Sequence, residues 1–97
     1  MRTATPAVGA LVLHDDDDVA VLVAAVEAGG MVVTRGAQAP LTLRPAMALP
    51  AGHKLALRRL AAGTDVRKYG EVIGRLTAPV EAGDHVHVHN LVSLRGR

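Results

Sequence analysis

One short pattern, Ala-Gly-x-x-apolar, occurs four times in this chain and constrains its fold more than any other feature. Glycine reaches positive φ at little steric cost, so each copy predicts a tight turn followed by a strand whose apolar residue enters the core. The spacing between copies is irregular, which argues against a solenoid, because a solenoid stacks units of one fixed period. We therefore expect one compact domain of short strands. The copies span residues 28–32, 51–55, 62–66 and 82–86.

The composition predicts a thin core. The 97 residues fit a single domain, residues 1–97, and 49% are apolar, mostly Ala, Val and Leu, with no Phe or Trp and one Tyr. Small side chains remove little apolar area from water when buried. A domain of this size buries only roughly 60–70% of its unfolded surface, so we expect further burial against a partner, either a second copy or a larger subunit.

Several classes of protein are disfavoured. The absence of Cys excludes disulfides and thiolate metal sites. The apolar run at residues 8–13 is too short to span a membrane, and we predict neither a signal peptide nor a membrane helix. Net charge is +2, and the scattered arginines lack aromatic neighbours for base stacking, which argues against nucleic-acid binding. A cytoplasmic location is the default expectation.

The first third of the chain predicts one strand and one helix. Residues 8–13 have the length and composition of a buried strand. Four aspartates, residues 15–18, precede an apolar stretch at 19–29 in which Val19, Leu22, Val23 and Val26 have helical spacing. The aspartates are interpreted as helix caps in preference to metal ligands, since carboxylates satisfy free N–H groups at a helix start.

The rest of the chain alternates short β-like runs with Gly and Pro. Residues 36–40 and 69–71 have the composition of hairpin turns. The predicted fold class is therefore mainly β with one short helix. The predicted strands are residues 31–34, 41–43, 54–57, 66–68, 72–76 and 85–89.

Three of the five histidines lie on the last predicted strand, where His85, His87 and His89 alternate with Val86 and Val88. Side chains alternate along a strand, so the imidazoles share one face, with neighbours about 6.6 Å apart and the outer two about 13 Å apart. We therefore expect at most two of the three to share one metal ion unless the strand bends. The alternative is an exposed polar face of an edge strand, since His-x-His is a weak motif.

A second group consists of His53 and Lys54 at a glycine turn and Lys68 and Tyr69 at a predicted hairpin. Together they would form an anion-binding corner for a carboxylated ligand, in which His53 could also exchange a proton. Spacing alone favours the alternative, in which the lysines lie along a β surface and Tyr69 packs on the strands. Asn90 has an amide that can orient a histidine or bind a substrate oxygen.

Three segments, taken together, resemble a known family. They are Pro-Ala-Gly-His-Lys-Leu-Ala-Leu at 50–57, the Ala-Gly-Thr-Asp-Val-Arg-Lys-Tyr-Gly-Glu-Val-Ile-Gly segment at 62–74, and Ala-Gly-Asp-His-Val-His-Val-His-Asn at 82–90. In this order they resemble the N-terminal SAF domain of the altronate and galactarate dehydratases, as does the start of the chain at 13–21. The resemblance covers nearly the whole sequence and implies a β-clip fold.

The resemblance also implies a function. The SAF domain associates with a larger catalytic portion that removes water from sugar acids, usually with a divalent metal such as iron or manganese. In some relatives it is a separate polypeptide, including the small subunit of a sulfolactate sulfo-lyase. We therefore expect the small subunit of a lyase that eliminates water from altronate- or galactarate-like acids and is not active alone. The alternatives are the small subunit of a sulfolactate sulfo-lyase, an oligomeric ligand- or metal-binding module, and a structural adaptor.

The expected site residues follow from the resemblance and the strand geometry together. The implied reaction removes a proton α to a carboxylate and then expels the β-substituent, which requires cationic groups or a metal to stabilise the enediolate. The expected ligands of a metal shared with a partner subunit are His85, His87 and His89; at most two of them bind one ion, and His87 and His89 are the preferred pair. The expected substrate-binding residues are His53, Lys54, Lys68, Tyr69 and Asn90.

Overall fold

The computed structural model describes residues 7–94, which form two β-sheets. Six strands pair in the order β4-β3-β1-β2-β5-β8 and three in the order β6-β7-β9. β1 and β3 run parallel, and the other neighbouring strands are antiparallel. No helix in this part of the chain is long and apolar enough to cross a membrane. The strands are β1 (Val8–Val12), β2 (Val19–Leu22), β3 (Val32–Gly36), β4 (Thr42–Leu43), β5 (Lys54–Ala56), β6 (Asp65–Lys68), β7 (Glu71–Leu76), β8 (His85–Val86) and β9 (Leu91–Ser93).

The four Ala-Gly motifs fold as predicted. Their glycines have φ between 72° and 89°, in the left-handed region that glycine enters without a Cβ clash. The apolar residue that ends each motif is completely buried. The motif is therefore confirmed as a turn that delivers one core side chain. These core residues are Val32, Leu55, Val66 and Val86.

The structure extends the motif by one position that the sequence pattern did not reveal. Two residues before each Ala-Gly pair lies a buried Val or Leu, and these residues form two antiparallel bridges, Val26 with Leu49 and Leu60 with Val80. In three motifs the glycine N–H donates to a strand carbonyl, and the N–H of that strand residue donates back to the residue after the glycine. Each of these three motifs is thereby joined to one strand residue by a pair of hydrogen bonds. The reciprocal partners are Gly52 with Leu22, Gly63 with Leu76, and Gly83 with Ala56.

The predicted helix at residues 19–29 is wrong, because its first part is strand β2. Val19 and Leu22 are buried as the helical spacing required, but Ala20 is buried too and Val23 is 43% exposed. The run is apolar at almost every position, so its apolar residues match the spacing of a helix and of a strand equally well. β-branched valines and burial on both faces favour the strand.

The two apolar clusters lie on opposite faces of the central strands. Val19 pairs with Ala56 and contributes to one cluster, whereas Ala20 pairs with Leu55 and contributes to the other. Side chains alternate along a strand, so neighbouring residues of β2 serve different cores. The first cluster is formed within the six-stranded sheet and its loops, and the second lies under the three-stranded sheet.

The aspartates do not cap a helix; two of the four, Asp17 and Asp18, attach the β6–β7 hairpin to the large sheet. The Asp18 carboxylate accepts the Arg67 N–H at 2.8 Å and forms an ion pair with Arg58 at 2.6 Å. Asp17 is completely buried, and its Oδ1 accepts the Gly70 N–H at 2.8 Å. Backbone N–H groups do bind these carboxylates, but the groups belong to the β6–β7 hairpin and not to the start of a helix.

Both predicted hairpins are confirmed. β3 pairs with β4 across the turn at 36–40, and β6 pairs with β7 across Tyr69 and Gly70. Tyr69 has φ of 58° and Gly70 of 74°, the pair of positive values that a two-residue hairpin turn of type I′ requires. The hairpin turn therefore fixes the direction in which Lys68 and Tyr69 leave the sheet.

We expect Asp17→Ala to lower the free energy of unfolding by about 1–3 kcal/mol, because it leaves the Gly70 N–H without its acceptor. Asp17→Asn retains an accepting oxygen and should cost less. Urea unfolding of these variants, with the exposed Asp15→Ala as control, measures the difference. Equal stability of Asp17→Ala and Asp15→Ala would contradict this role of the carboxylate.

Candidate functional site

The pairing of β5 with β8 brings three histidines together. Lys54 lies opposite Val86 and Leu55 opposite His85, so the next step of this register places His53 opposite His87. The His53 and His87 ring centroids are 5.1 Å apart, and those of His85 and His87 are 5.2 Å apart and nearly parallel. Nδ1 of His53 and Nε2 of His85 are 2.8 Å apart, a hydrogen bond between the two rings.

The predicted strand at 85–89 is wrong beyond Val86. Residues 87–90 form a turn that Asn90 holds: Oδ1 accepts the His87 N–H at 2.9 Å, and Nδ2 donates to the His85 carbonyl at 2.8 Å. The turn brings His89 to 5.3 Å from His85 between ring centroids, much closer than an extended strand allows. It also leaves Val88, expected on an apolar face opposite the histidines, 81% exposed.

The three half-buried histidines fit a metal ion. The ligand nitrogens of His53, His85 and His87 all lie within 4.8 Å of one another, and no Asp or Glu oxygen in residues 7–94 joins the set. This set shares His85 and His87 with the predicted ligands, but it contains His53 in place of the exposed His89. His53 lies 32 residues from His85. No sequence motif with a fixed spacing predicts a contact between His53 and His85. Only the pairing of the second Ala-Gly motif with the fourth could have revealed it.

The surroundings of the cluster disfavour positive charge. Burial lowers the pKa of His85 from 6.5 to about 4, and repulsion from His53, His87, His89 and Lys54 adds to the effect. At neutral pH the His85 ring is therefore uncharged, with a lone pair free for a metal or a proton. Burial and the charge of Lys68 lower the pKa of Lys54.

The remaining predicted residues lie in two places. Lys68 influences the pKa of Lys54, so the two lysines share one electrostatic environment, and the Lys68 Nζ lies 5.5 Å from the centroid of the Tyr69 ring. Tyr69 is 62% exposed and does not pack on the strands. Asn90 is buried, and both ends of its amide bind backbone groups, so in this structure it supports the histidine turn.

An apolar hollow of about 420 Å³ lies apart from the histidines, where the first two Ala-Gly motifs meet. Glu27 is the one titratable residue of its lining. The hollow therefore offers contact area and little chemistry. Its lining consists of Ala25, Val26, Glu27, Ala48, Leu49 and Pro50.

Comparison with known proteins gives consistent matches. Residues 8–94 match the family described as the altronate/galactarate dehydratase SAF domain. The (2R)-sulfolactate sulfo-lyase subunit alpha of Chromohalobacter salexigens is 43% identical over 87% of this chain and 94% of that subunit. The corresponding subunit of Paracoccus pantotrophus is 49% identical over 48% of this chain and 70% of its own length. Altronate dehydratase of Escherichia coli is 45% identical over 80% of this chain, which corresponds to 15% of that enzyme.

Acidification from pH 6.5 to 4 should destabilise the chain through His85. The unfolded chain binds a proton at His85 near pH 6.5 and the folded chain only near pH 4, so the unfolded state gains protons throughout this window. Above pH 6.5 the contribution is constant. We expect His85→Gln to lose part of this pH dependence, measured by urea unfolding at pH 7 and 4.5, and His14→Gln to retain it. An NMR titration that places the His85 pKa near 6.5 would contradict the prediction.

Proposed function

The chain belongs to the altronate/galactarate dehydratase SAF domain family, and we propose that it is the small subunit of a two-component lyase acting on a hydroxy acid. The observation that carries the proposal is the site itself, in which Lys54 borders a cluster of imidazoles that no carboxylate of residues 7–94 joins. Such a site attracts an anionic substrate. The match to 94% of a lyase subunit named alpha supports a partner that provides the rest of the active site. The curved two-sheet arrangement is consistent with the β-clip fold that the resemblance implies.

The lysines provide the binding energy in this proposal. A carboxylate held by Lys54 becomes a better electron sink, because the positive charge stabilises the enediolate formed when the α-proton leaves. His53 is half-buried and immediately precedes β5. Its imidazole can exchange a proton with a hydroxyl group of a bound substrate. Lys68 and Tyr69 approach from the separate hairpin and contact the far end of the substrate.

The iron or manganese that the resemblance implies fits the three histidines His53, His85 and His87. When bound, such a metal acts as a Lewis acid on a substrate oxygen. The protein orients the ligands through the β5–β8 pairing, and Asn90 keeps the His87 backbone in place. Loss of the Asn90 amide would therefore act on the site indirectly.

Two classes of acid are candidate substrates. The family name favours altronate- or galactarate-like sugar acids, which lose water. Sulfolactate is the second candidate, since the two sulfo-lyase alpha subunits match over 94% and 70% of their lengths. Sulfolactate carries a carboxylate and a sulfonate on a three-carbon chain, and Lys54 and Lys68 are near enough for one to affect the pKa of the other. This proximity suits two anionic groups close together.

Native purification of the tagged chain from its own organism tests the proposal. A large partner related to the catalytic part of altronate dehydratase should co-purify, and the complex should convert one of altronate, galactarate or sulfolactate to a keto acid. Sulfite release distinguishes the last substrate. Homo-oligomers without a partner and without activity on any of the three acids would overturn the proposal in favour of a non-catalytic module.

In the assembled complex, Lys54→Met should lower kcat/KM by about 10–100-fold, the loss expected for one charge-assisted hydrogen bond to substrate. The Arg59→Met variant removes a cation whose side chain is 81% exposed and serves as the matched control. Steady-state kinetics measure both, and gel filtration verifies assembly. Equal kinetics for the two variants would exclude Lys54 from substrate binding.

A further inference from the structure

We propose that the apolar hollow at the Val26–Leu49 bridge binds an arginine side chain of the larger lyase subunit, with its apolar stem against the lining and its guanidinium on Glu27. The inference rests on the proposed function, because it locates one contact with the partner subunit that the function requires. The contact is separate from the histidine cluster.

Two antiparallel bridges, Val26 with Leu49 and Leu60 with Val80, have nearly the same surroundings. Both are closed by a reciprocal pair of backbone hydrogen bonds of 2.9–3.0 Å. The bridging residues and their chain neighbours form one set of residues at each bridge, and the two sets differ in composition only by an Arg that replaces an Ala. The first set, which lines the hollow, is Ala25, Val26, Glu27, Ala48, Leu49 and Pro50. The second set is Arg59, Leu60, Ala61, Pro79, Val80 and Glu81.

The one difference between the two sets lies opposite the glutamate. The residue after one bridging position faces the residue before the other, so Glu81 is opposite Arg59 and Glu27 is opposite Ala48. Arg59 Nε and Glu81 Oε2 form an ion pair at 3.3 Å. Ala48 ends at its Cβ, and no cationic side chain of residues 7–94 pairs with Glu27. The first bridge thus has the glutamate of an ion pair and a hollow where the second has an arginine.

The lining of the hollow selects the kind of side chain that fills it. Arginine has an apolar stem that packs on apolar surface and a planar guanidinium that binds a carboxylate. The hollow offers both contacts, because its walls are apolar apart from Glu27. Met47, next to Ala48 in the chain, is 54% exposed and adds a flexible apolar side chain of the kind enriched at protein interfaces.

The arginines of this chain argue against a second copy as the source of that side chain. Those in residues 7–94 other than Arg35 already bind an acidic side chain or a backbone carbonyl of their own chain, and the Arg35 guanidinium lies against Gly9. A second copy would have to break such a contact to fill the hollow. The larger subunit is therefore the expected source. The arginines already bound are Arg44, Arg58, Arg59, Arg67 and Arg75.

Binding of the purified larger subunit to variants of the full-length chain, measured by isothermal titration calorimetry, tests the proposal. We expect Glu27→Gln to weaken binding more than about 10-fold, because it leaves the partner's guanidinium desolvated without its opposite charge. Glu81→Gln makes the same change at the second bridge and is the matched control. Its affinity should equal that of the wild type.

A second variant fills the hollow from within this chain. Ala48→Arg reproduces the arrangement at the second bridge, so its guanidinium should pair with Glu27 and exclude the partner's side chain. We expect it to weaken binding of the larger subunit more than about 10-fold without lowering the midpoint of thermal unfolding. The same unfolding measurement verifies that Glu27→Gln and Glu81→Gln are folded.

Photocrosslinking identifies the occupant directly. With benzoylphenylalanine in place of Ala48, we expect mass spectrometry of the complex to find a crosslink to an arginine-containing peptide of the larger subunit. A crosslink to a second copy of this chain, or to a peptide without arginine, overturns the proposal.

The remaining outcomes separate this inference from the lyase proposal. Wild-type affinity of either Glu27→Gln or Ala48→Arg overturns the inference, yet leaves the lyase proposal intact if the complex is active. A larger subunit that binds through the hollow in a complex without lyase activity supports the inference and refutes the proposed function. A chain that has no larger partner refutes both.

Discussion

The left-handed glycine turns are the constraint on which the rest of the structure depends. This chain has no Phe or Trp, so its core must be assembled from small side chains that are brought together efficiently. Each turn reverses the chain within a few residues and places one completely buried Val or Leu on the strand that follows. A Cβ in place of the glycine hydrogen would strain the backbone at positive φ and disturb that delivery. Reciprocal hydrogen bonds then join the second motif to Leu22 on β2, the third to Leu76 on β7 and the fourth to Ala56 on β5.

The structural features that depend on a few adjacent residues were predicted correctly from the sequence. The glycine turns and both hairpins depend on conformational preferences of a few adjacent residues, and they were predicted correctly. The helix was not, because the stretch after the aspartates is apolar at nearly every position and carries no usable period. The extended form of residues 87–89 was also wrong, because Asn90 captures the backbone of His85 and His87 and bends the chain. His53 was identified as a candidate, but its partners depend on a strand pairing between distant segments.

The cluster unites two requirements that usually conflict. Neutral imidazoles are needed to ligate a metal, and positive charge is needed to attract an acid. Here burial and mutual repulsion keep His85 neutral, while Lys54 at its side supplies positive charge. The same proximity that lowers the pKa of His85 therefore concentrates positive potential beside the cluster. Val88 and His89 are exposed beside this cluster, and the His89 ring lies 5.3 Å from the His85 ring between centroids.

The segment between Leu60 and Val80 contains β6 and β7, and we call it the arm. The antiparallel bridge between Leu60 and Val80 joins its two ends. The β5–β8 pairing places the histidines, and the arm packs against the same two strands, because Val66 and Leu76 share one apolar cluster with Ala56 and Val86. Lys68 and Tyr69, at the tip of the arm, belong neither to this cluster nor to the β5–β8 pairing. A substitution at the tip therefore leaves the packing beneath the histidines intact, whereas one in the core of the arm reaches it.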